Sequence, residues 1–246
     1  MVPTLSRKAI VLMACAIAPA TAHAEGLQVS PISVEIADRS GVLRLGNGSD
    51  ADLRAQVRIY RWTQADGEDQ LVETDELIAS PPFIQVEPGS EQVIRLVRFG
   101  DAALYMTECE RTYRVVVDEL PADPGEAQMG LQYVLRYSVP VYLTNPACED
   151  SHPELRWEIA IDGETAWLNV VNSGQTRAQL ATVNFISNDD ETVPIAGGLL
   201  GYVLPGSERR FQLVQPAQAF TSGGQIEVSI NGAQQRENVA LALANQ

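Results

Sequence analysis

Catalytic chemistry needs side chains that move protons, attack carbonyls or hold metals, and this 246-residue sequence is poor in the most versatile of them, histidine. It has two, His23 and His152. A hydrolytic triad needs an imidazole held between an acid and a nucleophile, and a zinc site commonly draws on several His or Cys ligands. His152, beside Pro153 in an irregular acidic stretch, supports neither. The glycines of Gly197-Gly198-Leu199-Leu200-Gly201 lack the spacing and the strand-turn-helix setting of a phosphate cradle. Asp66-Gly67-Glu68-Asp69 and Asn188-Asp189-Asp190-Glu191 lack the spaced oxygen ligands of a calcium loop and read as solvated turns. No catalytic residue, cofactor or metal is therefore assigned. A hydrolase working through paired carboxylates ranks last among three readings, because no pair stands out from 32 acids.

The remaining chemistry is charge recognition. Seventeen basic against 32 acidic residues give a formal charge of -15, which argues against a nucleic-acid partner, since binding phosphates needs a supply of cations. The single lysine, Lys8, lies with Arg7 at the extreme N-terminus, so a chain trimmed there has only arginine to form a cationic site.

Trimming is expected. Arg7 and Lys8 precede the apolar run Ala9 to Ala18, then Pro19 and Ala22-His23-Ala24, the layout of a secretory signal peptide over residues 1–24. The run is short for a bilayer, so no stable membrane anchor is expected. Export leaves Cys109 and Cys148 in a compartment where disulfides persist. Cys109 precedes one strand-like run and Cys148 follows the next, and in an antiparallel hairpin those ends are neighbours. A bridge would contribute about 4 kcal/mol by the chain-entropy estimate. The alternative is two unpaired thiols.

Positioning falls to β-strands. Runs rich in Val, Ile, Leu and Tyr recur between turn residues: Gln28 to Ile36, Val42 to Leu45, Leu53 to Trp62, Glu91 to Val97, Thr112 to Leu120 and Leu131 to Leu143. The irregular segment Asn145 to Pro153 marks a boundary. Beyond it lie Trp157 to Ile161, Ala166 to Val171, Ala181 to Ser187, Arg209 to Val214, Gln225 to Ile230 and Asn238 to Leu243. Asp162-Gly163 and Asn231-Gly232 supply hairpin turns. The expectation is an all-β chain of two antiparallel immunoglobulin-like sandwiches: residues 25–145, a linker over 146–153, and a second domain over 154–246.

Four segments, taken together, resemble the periplasmic pilus-assembly chaperones of chaperone-usher systems. They are Val29-Ser30-Pro31 with the strand after it; Ser80-Pro81-Pro82-Phe83 through Pro88-Gly89 to Gln92-Val93-Ile94-Arg95-Leu96; Tyr113 through Glu119-Leu120-Pro121; and Leu135-Arg136-Tyr137-Ser138-Val139-Pro140-Val141-Tyr142. Gly201 to Phe211 and Ile230-Asn231-Gly232 are similar to the family's second domain. The resemblance implies two immunoglobulin-like domains in a boomerang and a periplasmic, non-enzymatic protein that caps pilus subunits lacking a final strand. It would do so by donor-strand complementation, then deliver them to an outer-membrane usher. Pairing of its own free edges into a self-dimer is a further implication. The resemblance also implies the donor positions Leu131, Tyr133 and Leu135, which head an alternating face continuing through Tyr137, Val139, Val141 and Leu143. Unaided, such a face usually reads as core. Pro140 favours an edge, because proline cannot donate to a central ladder.

The sequence departs from the family where the subunit's terminal carboxylate is anchored. Ser33 and Pro140 stand where an arginine and a lysine are expected, which points to a divergent, archaic or alternative branch. The anchor is reassigned to Arg114 and Arg136, which fall opposite each other if the hairpin reverses near Gly125, with an anion between them. The alternative, arginines paired with acids, weighs about the same. Glu119 stands where the family commonly pairs an acid with an arginine near the end of the last strand, but Thr144-Asn145-Pro146 has none, leaving Glu119 for a different partner. The second reading of the whole chain is an extracytoplasmic adhesion or scaffolding module without donor-strand activity.

Overall fold

The computed structural model describes residues 26–100, 107–121 and 133–243. The leader expected over residues 1–24 and the donor position Leu131 lie outside the described residues.

Period-two alternation builds the first domain. Its strands are β1 (Leu27–Ser30), β2 (Val34–Ile36), β3 (Ser40–Asn47), β4 (Leu53–Ala65), β5 (Glu68–Glu73), β6 (Leu77–Ser80), β7 (Phe83–Val86), β8 (Glu91–Arg98), β9 (Glu110–Leu120) and β10 (Arg136–Thr144). One sheet runs β1-β3-β8-β6 and the other β2-β10-β9-β4-β5, with β7 also on β4. Between them lies one apolar core, with Leu43, Leu45, Ile94 and Leu96 from the first sheet and Val57, Tyr113, Val115, Val117, Val139 and Val141 from the second. The expected single run Gln28 to Ile36 is divided. After β1 the chain reaches Pro31, which has no N–H to offer a ladder, and re-enters the opposite sheet as β2, parallel to β10.

The second domain comprises β11 (Leu155–Asp162), β12 (Thr165–Asn172), β13 (Ala178–Ser187), β14 (Thr192–Val203), β15 (Ser207–Leu213), β16 (Gly224–Ile230) and β17 (Ala233–Leu243). They form one continuous seven-stranded sheet, β14-β13-β16-β17-β11-β12-β15, enclosing Trp157, Leu168, Val183, Phe185, Phe220 and Val228. Phe185 and Phe220 meet edge to face at 5.1 Å. The chain is thus all-β with two immunoglobulin-like domains. Two pairings, β2 with β10 and β11 with β17, are parallel rather than antiparallel. Both join strands far apart in sequence, which hairpin signals do not reveal.

Turn chemistry behaves as its residue types require. Asp66 and Gly67 (φ 54° and 76°) and Asn231 and Gly232 (φ 50° and 86°) are consecutive positive-φ pairs at hairpin tips. The turn expected at Asp162-Gly163 lies one residue later, because Asp162 pairs with Thr165 and leaves Gly163-Glu164 at the tip.

Several contacts seat one domain on the other. Trp62 and Tyr142 bury with Leu204 of the second domain. The Gln64 amide donates to the Tyr202 carbonyl and accepts from Leu204 N–H, both at 2.9 Å. Arg210 N–H donates to the Gly67 carbonyl at 3.3 Å, and the approach is close enough that a Cβ on Gly67 would lie 3.0 Å from that of Arg210. Cys109 and Cys148 form a disulfide with a Cα–Cα distance of 5.5 Å, joining the start of β9 to the segment just after β10.

Candidate functional site

The candidate site is the outer flank of β10. Its inner flank pairs with β9 over its whole length, Arg136 to Thr144. On the outer side β2 covers only Val141 to Leu143. Over Arg136 to Pro140 that flank has no strand partner among the described residues. Pro140 is therefore the last residue before β2 takes over.

The alternating face divides at the rim of the sandwich. Val139, Val141 and Leu143 are buried in the first core, and Tyr137 packs against it with its hydroxyl donating to the Leu27 carbonyl at 2.7 Å. The same face continues outward to Leu135 and Tyr133, which are 40% and 75% exposed. Tyr133 and Leu135 thus carry exposed apolar area past the end of the core.

Leu135 is nonetheless held. Its backbone N–H donates to Glu119 Oε2 at 3.0 Å and its carbonyl accepts from Glu119 N–H at 2.9 Å. Glu119 thus has the different partner that its sequence context called for: it fixes the segment leading into β10 through backbone, with the Leu135 side chain partly exposed.

The arginines do not meet as expected. Register sets Arg136 opposite Asp118 and Arg114 opposite Pro140, so the two are four residues apart along the hairpin, about 13 Å at the strand rise. Gly125, where the reversal was expected, lies outside the described residues. Arg136 bonds Asp118, whose other oxygen accepts from Arg58 Nη2 at 2.6 Å. Burial pushes the Asp118 carboxyl up, but hydrogen bonds from Arg58 and Arg136 outweigh it and hold the group below its ordinary value. Arg136 is an ion-paired surface arginine.

Arg114 is different. Its guanidinium lies 3.7 Å from the Trp62 ring centroid and 5.5 Å from that of Tyr202, in the seam between the domains. No carboxylate lies within ion-pair distance of it among the described residues. Burial lowers its pKa, the mark of a cation with less solvation than it had in water. Ser33, at the position where the resemblance led us to expect an arginine, lines a cleft of about 580 Å³ with Glu35, Glu110, Tyr142, Arg177 and Tyr202.

Other chemistry stays dispersed. His152 is exposed with Nδ1 near the Asp150 carbonyl at 3.2 Å. Among the described residues no group of His, Cys, Asp and Glu could hold a metal ion, and no helix is long and apolar enough to cross a membrane.

Comparison with known proteins agrees with this layout. Residues 26–147 match the family model described as pili and flagellar-assembly chaperone, PapD N-terminal domain. Among curated proteins no match is found. Several solved structures share the fold. One is the CsuC–CsuE chaperone-tip adhesion subunit pre-assembly complex from archaic Csu pili of Acinetobacter baumannii. It shows 22% identity and a TM-score of 0.67, covering 87% of this chain and 98% of that one. Another is the Salmonella enterica SafA pilin in complex with the SafB chaperone, with 20% identity and a TM-score of 0.59, covering 89% and 98%. The Pseudomonas aeruginosa CupB2 chaperone shows 16% identity and a TM-score of 0.56, covering 87% and 100%.

Proposed function

The chain belongs, through residues 26–147, to the pili and flagellar-assembly chaperones, and on that footing we propose that it caps pilus subunits by lending them the strand that begins ahead of β10. One observation carries the reading: Tyr133 and Leu135 stand exposed on the continuation of a core-facing row, directly before an edge whose outer flank is open from Arg136 to Pro140. A subunit short of one strand offers the complement, an apolar groove flanked by unpaired backbone groups. Leu131, Tyr133 and Leu135 fill that groove, while the backbone from Arg136 supplies the ladder.

Arg114 anchors the terminal carboxylate of the subunit. It lies in the seam with no carboxylate at ion-pair distance among the described residues, and an arriving carboxylate offsets the solvation that burial removed. The protein works in the periplasm after removal of its leader, needs no cofactor and catalyses no reaction. It hands its cargo to an outer-membrane usher, and when empty it protects the open flank by pairing with a second copy. The test is co-expression with a pilus subunit. The subunit is expected in the soluble fraction only when this chain is present, and equal solubility without it argues for the adhesion or scaffolding alternative.

A further inference from the structure

Arg177, the residue just before β13, reaches from the second domain back to the first. Its Nη1 and its backbone N–H both donate to the Glu110 carboxylate, the latter at 3.0 Å, and its Nη2 donates to Glu35. Its guanidinium lies 3.4 Å from the centroid of the Tyr142 ring. The three partners sit on three neighbouring strands: Glu35 on β2, Tyr142 on β10 and Glu110 on β9. Glu35 and Tyr142 are direct register partners. The Glu110 side chain is 1% exposed, so separating it from its guanidinium would strand a buried charge.

β2 is a weak element on its own. It is three residues long, lies at the edge of its sheet and is hydrogen-bonded there only to β10. Val34 and Ile36 bury inward and Arg98 Nη2 donates to the Ile36 carbonyl at 2.8 Å, while the Glu35 side chain, pointing to the other face, is held by Arg177. The position of β2 matters because β2 decides where the open flank of β10 ends.

We infer that Arg177 is a positioning residue: it clasps β2 against β10 as a stop, and so fixes the register at which a guest strand can pair with the open flank. The inference rests on the strand-lending reading above. Side chains alternate with period two, so a stop that moves lets a guest slide and presents different apolar residues to each pocket. With the clasp released, the open flank lengthens from Pro140 to Leu143 and more than one register becomes available.

Two measurements on the full chain test this, and the first needs no subunit. In Arg177→Ala, backbone hydrogen exchange at Val34 to Ile36 is expected to quicken about tenfold or more, with β1 and β16 unchanged and Arg177→Lys restoring part of the protection. Unchanged exchange at Val34 to Ile36 overturns the inference, and so does a uniform increase across β1, β9 and β16, which marks general loosening. The second uses unfolded CsuE as the probe, with a photo-crosslinker at position 138, an exposed side chain on the open flank that the reading gives no groove contact. One cross-linked subunit position is expected with the otherwise unaltered chain, and positions two residues apart with Arg177→Ala. A single unshifted position in both overturns the clasp. Failure of the unaltered chain to capture CsuE counts against the functional reading instead, and the exchange result then decides the clasp.

Discussion

Glu119 and Leu135 share two hydrogen bonds where β9 meets the segment leading into β10: the Leu135 N–H donates to the Glu119 carboxylate and the Glu119 N–H to the Leu135 carbonyl. The pair holds the backbone of the segment leading into β10 while the Leu135 side chain stays 40% exposed. Glu119→Ala removes the acceptor and is expected to speed amide exchange at Leu135 while lowering global stability by no more than about 1 kcal/mol. Glu119→Gln keeps a carbonyl oxygen and should fall between. Exchange at Leu135 identical in all three proteins would show that the contact holds nothing.

Tyr133 and Leu135 are 75% and 40% exposed, which leaves them little to contribute to the stability of their own domain. Replacing both by Asp is expected to change the unfolding free energy by no more than about 0.5 kcal/mol, yet to abolish subunit capture, because a charge enters an apolar groove only at the cost of its solvation. A marked loss of stability would place these side chains in the chain's own core. Undiminished capture would remove them from the interface.

The two arginines should separate in the same assay. Arg114→Ala is expected to cut subunit co-purification by about tenfold, the order of one charge-assisted contact. Arg136→Ala, which breaks an exposed pair with Asp118, should change it little. Undiminished capture by both single variants and by the double variant would end the anchor assignment.

Asp118 gives the first domain an acid-sensitive component. Its folded-state pKa is depressed, so the stability it contributes is present above the ordinary aspartate value and is lost as pH falls through the folded value. The stability difference between the unaltered chain and Asp118→Asn should therefore be largest near neutrality and shrink on acidification. A difference that grows as pH falls would reverse the sign.

The disulfide closes the hairpin across 39 residues of sequence. Replacing Cys109 and Cys148 by Ser is expected to lower stability by about 4 kcal/mol on the chain-entropy estimate, read as a fall in the denaturation midpoint.

Much of this was legible before any coordinates, for identifiable reasons. Alternation in Glu91–Arg98 dictates which residues face the core, and the structure buries Ile94 and Leu96 accordingly, while the apolar run Val115 to Val117 marks β9 as a strand covered on both faces. The missing strands are those without that signal. β5 reads Glu-Asp-Gln-Leu-Val-Glu and is exposed on both faces, β14 is interrupted by Gly197 and Gly198, and β6 and β7 are four-residue segments flanking Pro81-Pro82. The arginine pairing failed on register: the residues between β9 and β10 number too many for the turn chemistry to count pairs across them. Arg177 left no trace in sequence, since its partners Glu35 and Glu110 are remote from it and nothing distinguishes it from other arginines.

The measurement closest to the central claim is the structure of this chain bound to a pilus subunit that lacks its last strand. The expected result has residues from Leu131 to Leu135 seated in the subunit's groove and the flank from Arg136 to Pro140 hydrogen-bonded to the subunit. A groove filled by any other part of the chain, with that flank still open, would contradict it.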